Sequence, residues 1–235
     1  AYNETCAACA MAFWPLRLAN LKGDGRYTDV LERVLYNGFL SGRSLDGRRL
    51  YYNNFMSRRS PKARFGIACC ASNIVRTIPS VPGYFYAARA TDSLWVHLYA
   101  AGEANISWGG GTLRVVQQTE YPWNGAVRLT ITPPRAGEWT LNLRVPEWAA
   151  GATASVNGQA DRAAPVKGYL PIRRSWQAGD VVDLNLPMTI RRVTADPKVW
   201  ADRGRVALQR GPLVYCLEEV DHPIPVHRIV LPAAA

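Results

Sequence analysis

The sequence contains no apolar run of the roughly 18 residues that a membrane-spanning helix needs. It has no low-complexity tract and no clear internal repeat, and its first residues lack an initiator Met and form neither a basic nor an apolar leader. With 48% apolar residues over 235 positions, the chain can bury one large core or two small ones. An integral helical membrane protein and a globally disordered chain are both excluded.

Acidic residues are scarce, with 18 Asp and Glu against 28 Lys and Arg, of which 24 are Arg. The excess positive charge is concentrated in residues 1–90, which carry 13 basic and 5 acidic side chains. Nucleic-acid binding would require basic residues interleaved with aromatics in a known module, and no such module is present. We therefore expect neither nucleic acid nor a membrane as partner, and interpret the charge as solvated or matched by a partner surface.

Cysteine is limited to five residues, namely Cys6, Cys9, Cys69, Cys70 and Cys216. The odd number and the adjacent pair argue against a secreted disulfide framework, because adjacent cysteines rarely reach disulfide geometry. Free thiols suit a reducing compartment, so a cytoplasmic location is favoured. Metal thiolates, a reactive thiol and inert buried thiols remain open alternatives.

The hydrophobic period changes near residue 90. Before it, helices are predicted over 5–21, with a kink or break at Pro15, over 27–39, and from Ser72 onward. After it, alternating residues predict an antiparallel sandwich with strands at 94–99, 112–118, 127–132, 139–145 and 181–186. A further strand pair is predicted around Gly211.

These patterns divide the chain into three predicted parts within an α+β multidomain fold. Residues 1–90 are interpreted as the last helices of a larger helical domain, because three short helices cannot bury their apolar faces alone. Residues 91–190 are predicted to form a β-sandwich, and residues 191–235 the start of a second, truncated one.

The cysteines carry the chemistry that the sequence suggests. Glu4, Cys6 and Cys9 near the start, with Cys69 and Cys70 downstream, combine one carboxylate with thiolates, a set that selects zinc over magnesium or calcium. Cys9 completes a CxxC spacing with Cys6, while burial as small hydrophobes is the alternative for all of them. A second option is nucleophilic catalysis, since Cys69 and Cys70 precede the predicted helix start.

Other candidate groups favour packing over chemistry. His97 alternates with apolar neighbours and is interpreted as an exposed or satisfied sheet residue rather than a base. Tryptophans in the strand-rich part either present sugar-binding rings or fill the core, and core packing is favoured for Trp108, Trp123, Trp139, Trp148 and Trp176. No Ser-His-Asp triad and no Gly-rich phosphate loop can be assembled.

Several strings in a fixed order resemble glycoside hydrolase family 127, the beta-L-arabinofuranosidase family. They begin with ETCA at 4–7, LKGDGRYTDVLERVLYNG at 21–38 and FGIACCASNIVR at 65–76. The resemblance continues through TEYPWNGAVRL at 119–129 and DRGRVALQRGPLVYCLE at 202–218, so that it covers essentially the whole chain.

The resemblance implies an (α/α)6 barrel followed by β-sandwich domains, and a zinc-dependent retaining mechanism with a cysteine nucleophile. It implies Cys69 as the nucleophile, Glu32 and Tyr52 as substrate contacts, and Cys9 as a residue outside the metal site. The implied zinc ligands are Glu4, Cys6, Cys69 and Cys70.

The implied substrate is a terminal beta-L-arabinofuranosyl residue, or a related sugar, of a plant-glycan-derived oligosaccharide. The acid–base Glu of the family lies upstream of ETCA, so the isolated chain is expected to be an inactive fragment that needs the N-terminal barrel segment or another chain. The alternative is a non-catalytic carbohydrate-binding or structural β-sandwich module with a vestigial zinc site.

Overall fold

The computed structural model describes residues 3–52 and 69–232. It begins with helices α1 (Thr5–Lys22) and α2 (Gly25–Arg33), followed by a π-helical turn at Val34–Phe39 and a 3-10 turn at Leu40–Gly42. Helix α3 (Cys69–Thr77) continues into a 3-10 stretch at Ile78–Tyr84. Residues 65–68 of the FGIACCASNIVR string lie outside the described residues. No helix among the described residues is long and apolar enough to cross a membrane.

Helix α1 continues through Pro15, so the predicted break is wrong. A proline inside a helix removes one backbone hydrogen bond, but here the ring is buried and tertiary packing holds the helix. The helix ends at Gly23, whose φ of 59° allows its N–H to donate to the Ala19 carbonyl oxygen at 2.7 Å.

Both faces of α1 are apolar. One face is buried through Ala8, Cys9, Ala12 and Ala19, whereas the other leaves Met11, Trp14 and Leu21 exposed to solvent. A helix that is apolar all round is typical of one buried within a larger domain. The second face is therefore an uncovered apolar surface within the part of the chain described.

Helix α3 already contains Cys69 and Cys70, so the predicted start at Ser72 is too late. The Ser72 hydroxyl does not cap the helix, because it donates to the Cys69 carbonyl oxygen at 3.1 Å within the same turn. The helix ends at Thr77, and Pro79 and Pro82 fall in the 3-10 stretch that follows it.

Two sheets follow the helices. The four-stranded sheet has the order β1-β2-β6-β9, and the six-stranded sheet has the order β3-β4-β5-β10-β7-β8. Their strands are β1 (Tyr86–Arg89), β2 (Ser93–Val96), β3 (Gly102–Trp108), β4 (Gly111–Thr119), β5 (Ala126–Thr132), β6 (Gly137–Arg144), β7 (Thr153–Val156), β8 (Gln159–Asp161), β9 (Tyr169–Trp176) and β10 (Asp180–Asn185).

The five strands predicted from alternation are confirmed, but the pairing is not antiparallel throughout. Strands β2 and β6 pair in parallel, with Leu94 opposite Leu141. The chain leaves the four-stranded sheet after β2, builds β3 to β5 in the other sheet and then returns. This long connection allows β6 to run in the same direction as β2, which a short hairpin would forbid.

The two sheets pack face to face around one core, to which alternating residues of both contribute, such as Val115 and Leu129 from one and Leu141 and Ile172 from the other. The core-packing interpretation of the tryptophans is confirmed for Trp108, Trp139, Trp148 and Trp176. Trp123 is the exception, with 66% of its surface exposed.

A third sheet of three antiparallel strands comprises β11 (Ile190–Val193), β12 (Ala207–Arg210) and β13 (Leu213–Tyr215). The predicted strand pair is confirmed, and Gly211 supplies the positive φ of 57° that its tight turn requires. Asn37 fastens this sheet to the helices, because its amide donates to the Pro212 carbonyl oxygen and accepts from the Val214 N–H, both at 2.9 Å.

Candidate metal centre

Glu4, Cys6, Cys69 and Cys70, which are far apart in sequence, converge at one place. One potential ligand atom from each lies within 4.8 Å of all the others. The Sγ atom of Cys70 is 3.0 Å from that of Cys6, 3.9 Å from that of Cys69 and 4.0 Å from Glu4 Oε1. The structure thus brings together the four residues that the resemblance implies as metal ligands.

Helices α1 and α3 hold these side chains in place. Cys6 lies in the first turn of α1, and contacts along the two helices ascend in the same direction, from Cys6 with Cys70 to Phe13 with Arg76. The two helices therefore run parallel, and their first described turns meet at the cluster.

The segment around Tyr52 closes one side of the cluster. The Tyr52 carbonyl oxygen accepts from the Thr5 N–H at 3.0 Å and from the Cys70 thiol at 3.5 Å. The Thr5 hydroxyl donates to the Tyr51 carbonyl oxygen at 2.8 Å, which fixes the segment against the start of α1. Tyr52 therefore borders the cluster through its backbone.

The three sulfur atoms differ in exposure. Cys69 is exposed, Cys6 is half-buried and Cys70 is only 2% exposed. Burial, together with the neighbouring Cys6, raises the pKa of the Cys70 thiol to about 12. Without a cation Cys70 therefore keeps its proton at neutral pH, and a metal ion would have to displace it.

The geometry of the cluster fits zinc. Tetrahedral zinc with Zn–S bonds of about 2.3 Å separates its sulfur ligands by roughly 3.8 Å. The Sγ atom of Cys70 lies 3.0 Å from that of Cys6 and 3.9 Å from that of Cys69, two distances that bracket this value. A donor set of thiolates and one carboxylate also favours zinc over magnesium, calcium or manganese, which prefer oxygen ligands.

Cys9 does not belong to the cluster, although it has CxxC spacing with Cys6. It is 1% exposed, and this burial raises the pKa of its thiol. A hydrogen bond with Thr77 acts in the opposite direction and is the weaker cause. The alternative of a small buried hydrophobe is the one that the structure supports for this residue.

Glu32, which the resemblance implies as a substrate contact, lies in a second cluster of polar side chains. It is 1% exposed on α2, and its Oε1 accepts from the Tyr121 hydroxyl and from Arg144 Nη2. Its Oε2 accepts from Trp148 Nε1 at 3.3 Å. Both carboxylate oxygens are thus engaged by protein donors in a buried site, and the role of Glu32 as a substrate contact stays a prediction.

Arg144 is the centre of this second cluster and is fully buried at the end of β6. Its Nη1 donates to Asp29 Oδ1 at 2.7 Å, and its Nε donates to the His97 carbonyl oxygen at 2.6 Å. The two acidic side chains of α2 thereby meet a basic side chain on the outer face of the four-stranded sheet. We call Arg144 with Asp29, Glu32 and Tyr121 the arginine cluster.

His97 joins the same interface and is a satisfied histidine, as one of the two sequence interpretations expected. Its Nδ1 is 2.7 Å from the Tyr169 hydroxyl, and its Nε2 is 3.1 Å from Asn20 Oδ1 on α1. Burial lowers its pKa to about 4, so the ring is neutral at physiological pH. It therefore links a helix to a strand rather than acting as a base.

Sequence reasoning missed Arg144 and Asn73. Asn73 donates from Nδ2 to the Cys6 Sγ atom at 3.1 Å. A signal for the arginine cluster was present, because Asp29 and Glu32 lie three residues apart on one helix face and need a cationic partner if that face is buried. The partner is 112 residues distant from Glu32, a separation that no local pattern reveals.

The known proteins that are similar to this chain point to one family. Three sequence profiles of one family match successive parts of the chain. Residues 1–83 match the beta-L-arabinofuranosidase GH127 catalytic domain, residues 93–188 match the GH127 middle domain, and residues 190–235 match the glycoside hydrolase family 127 C-terminal domain.

Among curated proteins, the non-reducing end beta-L-arabinofuranosidase of Bifidobacterium longum subsp. longum is 36% identical over 243 residues, which cover 94% of this chain and 36% of that protein. A solved GH127 beta-L-arabinofuranosidase from Geobacillus stearothermophilus T6 is 45% identical with a TM-score of 0.87, over 94% of this chain and 37% of the other. A second solved GH127 beta-arabinofuranosidase is 44% identical with a TM-score of 0.91, over 97% and 39%.

The chain therefore spans between 36% and 39% of the length of these relatives. The three profiles together account for nearly every residue, and they occur in one order along the chain. The protein belongs to glycoside hydrolase family 127, the beta-L-arabinofuranosidase family.

Proposed function

We propose that this chain forms part of a zinc-dependent retaining glycoside hydrolase that cleaves terminal beta-L-arabinofuranosyl, or related, residues from plant-glycan-derived oligosaccharides. The observation that carries the proposal is the convergence of one carboxylate and three thiols within 4.8 Å, in a chain whose similar proteins are described as beta-L-arabinofuranosidases. Glu4, Cys6, Cys69 and Cys70 would hold the zinc ion.

Bound zinc would supply one chemical service, which is to keep the coordinating thiols deprotonated at neutral pH. The roles that we propose for the three cysteines follow from the exposure of their side chains. Cys70 is buried against the Tyr52 carbonyl oxygen and Cys6 is half-buried, so both suit a purely ligating role. Cys69 is exposed, so its sulfur can reach the anomeric carbon of a sugar. There it would form a thioglycoside as the glycosidic C–O bond breaks and the leaving oxygen takes a proton.

The helical part is proposed to be the last portion of an (α/α)6 barrel, with residues 91–190 as a β-sandwich and residues 191–235 as part of a second one. The uncovered apolar face of α1, with Met11, Trp14 and Leu21, supports this because further helices would bury it. The sugar-binding surface would then be shared with those further helices of the barrel or with another chain.

A retaining glycosidase also needs a carboxylic acid that protonates the leaving oxygen. Each carboxylate before residue 90 already has another partner. Glu4 belongs to the metal cluster, Asp24 bonds Arg26, Asp46 bonds Ser44, and Asp29 and Glu32 bond Arg144. We therefore propose that the isolated chain hydrolyses natural arabinofuranosides negligibly, since general acid catalysis is typically worth about 10²–10⁴-fold.

Zinc content tests the metal centre. We expect the purified chain to carry about one zinc ion, measured by elemental analysis after removal of excess metal. Cys6→Ser should lower this content, whereas Cys9→Ser, a change of the same chemistry one turn away and outside the cluster, should leave it unchanged. A chain without zinc, or one in which Cys9→Ser and not Cys6→Ser loses the metal, contradicts the proposal and favours a non-catalytic sandwich module.

Release of L-arabinose from an alkyl arabinofuranoside tests the catalytic part. We expect no measurable release by the isolated chain, and at most a slow reaction of an activated aryl arabinofuranoside that stalls at Cys69. Cys69→Ala is the control for that slow reaction. Rapid turnover that Cys69→Ala abolishes would show that a proton donor lies within these residues after all.

A further inference from the structure

Asn73 links the two helices that build the metal cluster. It follows Cys69 by four residues and Cys70 by three, so on α3 the three side chains share one face. From that face its Nδ2 donates to the Sγ atom of Cys6 on α1 at 3.1 Å. An amide side chain of α3 thus hydrogen-bonds to the one cysteine of the cluster that α3 does not supply.

This hydrogen bond acts where negative charge accumulates. Three thiolates and one carboxylate around a divalent cation leave a formal charge of about −2 on the centre. An N–H donor that points at a thiolate sulfur draws electron density from it and stabilises the charged form. Hydrogen bonds to ligand atoms of this kind orient the ligand and tune the metal.

The three sulfur atoms do not share this donor equally. Cys6 receives the Asn73 amide, and Cys70 faces the Tyr52 carbonyl oxygen at 3.5 Å. Within the described residues, the contact of the Cys69 sulfur is with Cys70 at 3.9 Å. The amide therefore acts on a sulfur that is proposed only to ligate, and it does not act on the exposed sulfur of Cys69, which is proposed to ligate and also to serve as the nucleophile.

We infer that Asn73 is a positioning residue of the metal centre, which holds Cys6 in its ligating orientation and lowers the nucleophilicity of that sulfur. Cys6 is thereby confined to ligation, whereas Cys69 ligates and also serves as the nucleophile. This inference rests on the proposed zinc site and adds a residue to it.

Zinc affinity of the full chain, measured by competition with a chromophoric chelator, is the first test. We expect Asn73→Ala to weaken zinc binding about 10-fold, the lower end of the usual effect of removing such a partner. Asn73→Asp, which keeps the shape but replaces the donor by a negative charge, should weaken it further. Val75→Ala, at an exposed position of the same helix, is the matched control and should bind zinc like the parent chain.

The second test is the absorption spectrum with cobalt(II) in place of zinc, at saturating metal. Removing the donor raises the energy of the Cys6 sulfur electrons, so the sulfur-to-cobalt charge-transfer band should move to lower energy in Asn73→Ala and stay in place in Val75→Ala. A residue with a merely structural role would change occupancy without moving the band.

The outcomes separate this inference from the proposal on which it rests. If the parent chain binds zinc and Asn73→Ala matches Val75→Ala in both affinity and band position, Asn73 has no role at the centre and the zinc site stands. If the parent chain binds no zinc, the metal centre is wrong and the role of Asn73 falls with it. Circular dichroism of Asn73→Asp, which is close to isosteric, shows that the fold is retained.

Discussion

The two polar clusters of this protein are built from similar materials and differ in completeness. The arginine cluster combines two carboxylates with a guanidinium that the same chain supplies across the interface between α2 and β6. The cysteine cluster combines one carboxylate with three thiols, all of which become anionic when they ligate. The first receives its counter-charge from folding alone, whereas the second, on the proposal that it holds zinc, would gain its full stabilisation from a cation that comes from outside.

Burial of polar groups therefore has a different consequence at each of the two clusters. At the arginine cluster it joins the helical part to the sheets, since each partner leaves an unpaired buried charge if the other is removed. At the cysteine cluster, on the proposal that it holds zinc, burial prepares ligands, and the exposure of Cys69 would keep one sulfur available for chemistry. Changes at the first should therefore alter stability, and changes at the second should alter metal content.

The largest effect is expected at the arginine cluster. Arg144→Met removes the cation and leaves Asp29 and Glu32 buried without it, so the free energy of unfolding should fall by about 3–5 kcal/mol. Urea unfolding followed by tryptophan fluorescence measures this. A loss below about 1 kcal/mol would mean that solvent reaches the cluster and that the helices do not depend on it.

The same interface should show a pH dependence of stability that arises from His97. Burial lowers the pKa of His97 from 6.5 to about 4, so between these values the unfolded chain binds a proton that the folded chain refuses. Stability should therefore fall as the pH decreases from about 6.5 towards 4, by about 3 kcal/mol in the limit. Urea unfolding at several pH values measures the slope.

His97→Gln is the control for this slope, because glutamine keeps hydrogen-bonding capacity and does not titrate. The slope above about pH 5 should then flatten. Asp29 opposes the effect at the acid end, since burial raises its pKa and its protonation favours the folded state as the pH falls. An equal slope in His97→Gln would assign the dependence to other groups.

Two glutamates sharpen the contrast between the clusters. Glu4→Gln should abolish most of the stabilisation that zinc provides, which is about 2.7 kcal/mol when free zinc exceeds the dissociation constant 100-fold. Glu32→Gln should lower stability with and without a chelator, and leave zinc content unchanged. Thermal unfolding with zinc and with EDTA separates the two, and an equal response of both variants would erase the distinction between the clusters.

The smallest effect is expected at an ion pair on the surface. Arg114 pairs with Glu103 at 2.7 Å between β3 and β4, but both side chains are well exposed to water. Arg114→Met should unfold at nearly the same urea concentration as the parent chain, because solvent and salt screen such a pair. A loss comparable to that of Arg144→Met would show that burial does not decide the value of an arginine in this protein.

The sequence predicts the elements far better than it predicts their partners. The five strands follow from alternation, and the tight turn at Gly211 follows from its neighbours, because both are local properties of the chain. The continuity of α1 through Pro15 and the parallel pairing of β2 with β6 do not follow, since packing against distant segments decides both. The four ligand residues were reachable through the family strings, whose spacing no periodicity explains.

What the sequence determined by itself is therefore the set of chemical groups and the local elements that carry them. One carboxylate and three cysteines in family order, helical and then strand periods, and a scarcity of acids are all visible without a structure. Only the tertiary structure decided that Glu32 faces Arg144, and that Asn73 reaches Cys6. The physical reason is that the burial and pairing of a charge depend on residues more than 60 positions away, which folding alone brings into contact.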